Sequence, residues 1–94
     1  MSKETEVMHL PRLNKFLIRL CRGKYAFVEY EVKENLLYIT KAYTPEEFRG
    51  RGIASRIMTE VIKYAEREGL KVIPICSFAK YFFEKHPEYK HVLA

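Results

Sequence analysis

The chain has 94 residues, which is room for one small domain and too little for two. With 48% hydrophobic and 31% charged residues it can build an apolar core, which excludes wholesale disorder. Seventeen Lys and Arg against twelve Asp and Glu leave a formal charge of +5, which favours an anionic partner without deciding between nucleic acid, a membrane surface and a phosphorylated cofactor.

No apolar stretch approaches the roughly 20 residues that span a bilayer, and Met1 to Leu10 is polar and charged, unlike the apolar core of a signal peptide. A cytoplasmic address and no membrane partner are therefore expected. Cys21 and Cys76 have neither a CxxC partner nor a histidine cluster, so both thiols are expected to be free and no metal site is expected.

Residues 1–14 show no clear period and contain Pro11; they read as an N-terminal arm preceding a single domain over 15–94. Phe16, Ile18 and Leu20 alternate through a strand ending at Cys21, and Arg22-Gly23-Lys24 is a basic turn. Tyr25 to Val32 has a period near two and is rich in β-branched and aromatic residues. A turn at 33–35 and a third extended run, Leu36 to Thr44, complete an antiparallel meander, because connections this short cannot cross over.

From Ile53 the period becomes helical, with Ala54, Ile57, Met58, Val61, Ile62 and Ala65 on one face and Gly69 as the stop. Leu70 to Ile75 is a nearly continuous apolar run, made parallel to the third strand by its helical crossover. Ser77 can cap a shorter helix, Phe78 to Lys85, that ends at His86 and Pro87. The predicted order is βββαβα, an α/β (α+β) domain with one mixed sheet.

The chemistry concentrates in the loop from Thr44 to Ala54, where Gly50 and Gly52 fall between a strand and a helix. Glycines there let backbone approach a ligand and aim N–H groups from the helix start, a nest suited to phosphate oxygens. Arg49, Arg51 and Arg56 add positive charge around the same point. A Walker loop would need GxxxxGK[ST], which is absent, and the dinucleotide fingerprint would need glycine where Ser55 stands. The plainer alternative is a tight turn feeding a basic helix.

The pattern Arg49-x-x-Gly52-x-Ala54, after Pro45-Glu46 and before an amphipathic helix, resembles the acetyl-CoA signature [QR]xxGx[GA] of the GCN5-related N-acetyltransferases. Cys76-Ser77-Phe78-Ala79-Lys80 and His86-Pro87-Glu88-Tyr89 resemble a subfamily of very small members. The resemblance implies acetyl-CoA as cofactor, its pyrophosphate held by Arg49, Gly50, Arg51, Gly52, Ile53 and Ala54, with Ser55, Arg56 and Cys76 nearby, and its pantetheine paired with Ala42, Tyr43 and Thr44. It also implies that the third and fourth predicted strands splay apart around the cofactor, which suits Pro74, a residue without an N–H for a full ladder.

For catalysis the resemblance points to Cys76, before a helix start whose dipole can lower a thiol's pKa, and to Tyr81 as an acid for the departing thiolate. Small relatives commonly carry a histidine on the third strand where this chain has Lys41, a poor base near neutral pH. Larger members place helices between their first two strands; here a three-residue turn is expected, leaving an open, shallow acceptor groove. The implied function is transfer of acetyl from acetyl-CoA to an amine, the acceptor being left open, a protein lysine among the candidates. The alternatives are a non-catalytic CoA carrier or sensor and, third, a basic nucleic-acid-binding module, against which Glu29, Glu31, Glu46 and Glu47 break up the basic run. Monomer and homodimer both remain open.

Overall fold

A computed structural model describes residues 6–94. Strands β1 (Val7–Leu10), β2 (Lys15–Cys21), β3 (Lys24–Lys33) and β4 (Leu36–Tyr43) precede helix α1 (Ile53–Glu68), strand β5 (Lys71–Pro74) and helix α2 (Ser77–Lys85). The sheet order is β1-β2-β3-β4-β5, antiparallel up to β4, with β4 and β5 parallel across the α1 crossover. This is the mixed α/β sheet that the sequence predicts, with one strand more.

That strand corrects the reading of residues 1–14 as an arm without a strand. Val7–Leu10 pairs with β2 from Val7↔Ile18 to Leu10↔Lys15, while residues 1–5 lie outside those described. Four residues are too few to show a period, and Pro11 sets φ for a 3-10 turn immediately afterwards. The connection between the first two strands is therefore Pro11–Asn14, closed by Asn14 N–H donating to Pro11 O at 3.1 Å, and the turn at 22–24 links β2 to β3 instead. No α-helix interrupts either connection.

His9 explains why so short a strand holds. Its ring stacks on Phe16 at 4.0 Å, meets Tyr64 of α1 edge-on at 4.5 Å, and places Nε2 2.5 Å from the Tyr30 hydroxyl. Burial, with a smaller push from Arg67, lowers the His9 pKa, so the imidazole is neutral and Nε2 can accept from the hydroxyl. Burial also pushes Tyr30 up to about 12, keeping its proton in place.

Alternation decides which side of the sheet is packed. Phe16, Ile18, Ala26, Val28, Tyr30, Leu37 and Ile39 turn toward α1, which contributes Ile57, Met58, Val61, Ile62 and Ala65 to the same buried cluster. Each large aliphatic side chain so buried is worth about 1.5–3 kcal/mol. The helix stops where Gly69 adopts a left-handed φ of 70°, and Leu70 N–H donates to Ala65 O at 2.8 Å.

One irregularity shapes the far end of β4. Tyr30 pairs with Ile39 but Glu29 pairs with Lys41, so Thr40 is an extra residue, a bulge, with its hydroxyl donating to Glu29 O at 3.3 Å. Beyond it Ala42 lies opposite Val28 on the α1 side, while Lys41 and Tyr43, opposite Glu29 and Phe27, point the other way.

Candidate functional site

The parallel ladder between β4 and β5 runs from Leu36↔Lys71 to Ile39↔Pro74 and stops. Ile75 and Cys76 then both donate their N–H groups to the one carbonyl of Ile39, at 2.9 and 3.2 Å, as the chain leaves the sheet toward α2. β4 continues to Tyr43, so its last residues run past the end of β5. Pro74 stands at the last rung, the position a residue without an N–H can occupy at no cost to the ladder.

Into this opening comes the loop that joins β4 to α1. A 3-10 turn at Glu46–Phe48 is followed by Arg49, whose Nε donates to Thr44 O at 2.9 Å and ties the loop to the end of β4. Gly50 and Gly52 have φ of 82° and 75°, left-handed values that glycine adopts without strain. Gly52 is the N-cap of α1 and offers no side chain to its first turn, so the N–H groups opening the helix are satisfied by no capping side chain. The space beside both glycines is open to at least 4 Å where a Cβ would stand.

A cavity of about 450 Å³ lies against this loop. The end of β4 (Ala42, Tyr43, Thr44) forms one wall, Arg49, Gly50 and Gly52 to Ser55 a second, and Phe78 and Tyr81 of α2 a third, with Phe48 beside them. Nine of the residues expected to hold a cofactor thus converge on one space: Ala42, Tyr43, Thr44, Arg49, Gly50, Gly52, Ile53, Ala54 and Ser55. Arg51 and Arg56 are not on its wall. The Arg51 guanidinium lies 5.2 Å from the Phe48 ring centroid, and Arg56 is exposed on the first turn of α1, its N–H bonded to Gly52 O.

The three candidate catalytic residues part company. Tyr81 is on the cavity wall and 56% exposed, with Lys85 Nζ 5.6 Å from its ring centroid. Cys76 does not line the cavity; it is half-buried as the N-cap of α2, where its Sγ accepts from Ala79 N–H at 3.4 Å. Lys41 is exposed on the side of β4 away from α1, its Nζ 5.9 Å from the Phe27 ring centroid. No histidine lines the cavity: His9 is packed under α1, while His86 and His91 lie beside Glu88 and Glu66. Phe48 and Phe78 are wall residues that the sequence did not single out, because isolated aromatics read equally well as core.

A strand pair that opens beside a glycine-rich helix start is the arrangement that the resemblance to the GCN5-related N-acetyltransferases implies. The sequence profile of GCN5-related N-acetyl-transferases matches residues 15–92, and the chain belongs to that family. It is similar over 100% of its length to 91% of a solution NMR structure from Staphylococcus aureus, assigned as a GCN5-like N-acetyltransferase, with a TM-score of 0.81 and 30% identity. No curated protein matches it. Among the described residues no helix is long and apolar enough to cross a membrane.

Proposed function

We propose that the cavity binds acetyl-CoA and that the chain transfers its acetyl group to an amine. The observation that carries this reading is the meeting, around one 450 Å³ space, of β4 backbone past the end of β5 with the uncapped first turn of α1. The first turn, with a positive dipole end and Arg49 beside it, suits a diphosphate. Backbone at Ala42 to Thr44 suits the amides of an extended chain laid along it as a further strand would be. Phe48 and Phe78 give the same space apolar surface. Bound there, the coenzyme supplies an activated thioester.

The residues divide the remaining work. The Tyr81 hydroxyl, facing the cavity, can donate a proton to a departing sulfur. Cys76 receives the Ala79 N–H at the start of α2, the helix that brings Phe78 and Tyr81 to the cavity wall. Lys41 faces away from the cavity and serves as a charge rather than a base.

The absence of any histidine from the cavity wall favours a second reading, a CoA carrier or sensor that binds without turnover. Calorimetric titration with CoA and acetyl-CoA tests the binding that both readings need. Release of free thiol from acetyl-CoA in the presence of amines then separates them: turnover supports the transferase, and tight binding without it supports the carrier. A chain that binds neither ligand refutes both.

A further inference from the structure

The side of the sheet away from α1 carries a row of apolar residues, one from each of four neighbouring strands. Met8 lies opposite Leu17, Leu17 opposite Phe27, and Phe27 opposite Tyr43. The row spans three strand spacings, about 14 Å. α1 packs on the other side and α2 packs on β4 and β5, so the row lies bare, with Met8 and Tyr43 both more than 40% exposed. At the Tyr43 end a second cavity of about 450 Å³ opens, bounded by Lys15, Leu17, Lys24, Phe27 and Glu47 among others. Tyr43 lines both cavities and is the wall between them.

The charges around the row are unbalanced. On this side Lys15, Arg19, Lys24, Lys33 and Lys41 outnumber Glu29, Glu31 and Glu47; Lys15 pairs with Glu29 at 3.5 Å and Lys24 with Glu47. Lys15 and Lys41 both hold their ammonium groups over the Phe27 ring, at 4.9 and 5.9 Å, with a single carboxylate between them in the register. A polyamine or a lysine in a basic segment would meet like charge here. A body with carboxylates would find complementary charge and, between them, apolar surface.

We infer that this bare row is the acceptor-docking face and that it takes an acidic peptide segment, whose apolar side chains lie along Met8, Leu17 and Phe27 and whose carboxylates reach Lys15 and Lys41. The length favours a peptide over a single amino acid, since about four extended residues cover it. The interspersed Glu29, Glu31 and Glu47 and the apolar centre disfavour a nucleic acid, which needs cations spaced along phosphates. The inference rests on the coenzyme reading above, because the segment would present its amine to the Tyr43 wall.

The test is fluorescence anisotropy on the full chain with three labelled octapeptides, each containing leucines and one lysine: one rich in Glu, one with Gln for every Glu, and one with Lys for every Glu. Tightest binding of the acidic peptide is expected, weakened about two- to fivefold by Lys15→Gln, as for an exposed ion pair, and about tenfold or more by Leu17→Asp through lost apolar contact and added repulsion. CoA titrations of both variants accompany the test and are expected to match the parent. Equal binding of the three peptides, no peptide binding, no response to either variant, or tighter binding of a single-stranded oligonucleotide overturns the inference. If CoA binding stands while the peptide result fails, only the docking face is wrong; if CoA itself fails to bind the parent chain, the fault lies in the coenzyme reading.

Discussion

Arg49 reaches back across its own loop and donates Nε–H to the carbonyl of Thr44 at 2.9 Å, so one side chain fixes the end of β4 relative to the start of α1. Both of those segments line the same cavity. Arg49→Ala removes this tie together with a charge beside the helix start. CoA affinity is expected to fall about tenfold to a hundredfold, the range for a hydrogen bond to a charged group. Arg49→Lys keeps the charge without the planar donor and should fall between the two. Titration calorimetry of the three proteins orders them; equal affinities would remove Arg49 from the site.

Gly52 tests the loop by another route. Its φ of 75° disfavours any side chain, yet no atom would meet the added Cβ. Gly52→Ala should therefore cost about 1 kcal/mol of stability, all of it backbone. Gly52→Asn should cost less, since asparagine tolerates the left-handed region. Chemical denaturation measures both. If the cavity holds a diphosphate against the helix start, CoA binding should weaken more than the stability loss predicts, because the new side chain projects into the open space by the nest.

His9 makes stability depend on pH. Its folded pKa lies below the ordinary 6.5, because it is buried and because Arg67 is near, with Tyr30 and Tyr64 as its polar neighbours. The unfolded chain therefore takes the proton more readily. Stability from this residue is complete above about pH 6.5 and declines as the pH falls through that value toward the lower folded pKa. Thermal unfolding from pH 8 to pH 5 should show the decline, and His9→Phe, which keeps the stack on Phe16, should flatten it. A parallel decline in that variant would place the titration elsewhere.

Cys76 separates capping from reactivity. Serine is a strong N-cap, so Cys76→Ser should leave the unfolding temperature unchanged or higher, whereas Cys76→Ala loses the bond from Ala79 N–H and should cost about 0.5–2 kcal/mol. If thiol chemistry is used, both variants lose turnover alike. A serine variant that turns over normally assigns the residue to the helix alone.

Much of this was legible in the chain itself. The face of α1, its stop at Gly69 and the parallel β5 follow from periodicity and from one glycine, and the loop glycines announced the nest by their place between strand and helix. β1 was not legible, because four residues held by a histidine beneath α1 leave no pattern of their own. Nor was the separation of Lys41 from the cavity, since alternation read along β4 without a bulge gives every residue after Thr40 the wrong side. Cys76 was placed correctly before α2 but its sulfur turns to the helix rather than to the cavity wall, a choice of side-chain direction that sequence does not encode.

Thr40 acts as a spacer whose count matters more than its chemistry. Thr40→Ala should lose only an exposed hydrogen bond, about 0.5–1.5 kcal/mol. A regular ladder that kept Thr40 in step would swing an ammonium from position 41 under the helix and turn Ala42 outward, whereas deleting Thr40 removes the bulge and leaves Lys41 opposite Glu29 and Ala42 opposite Val28. The unfolding of the two variants therefore separates the loss of the hydroxyl from the loss of the bulge itself. The side on which each residue of β4 beyond Thr40 falls is thus set by one residue too many in a single strand.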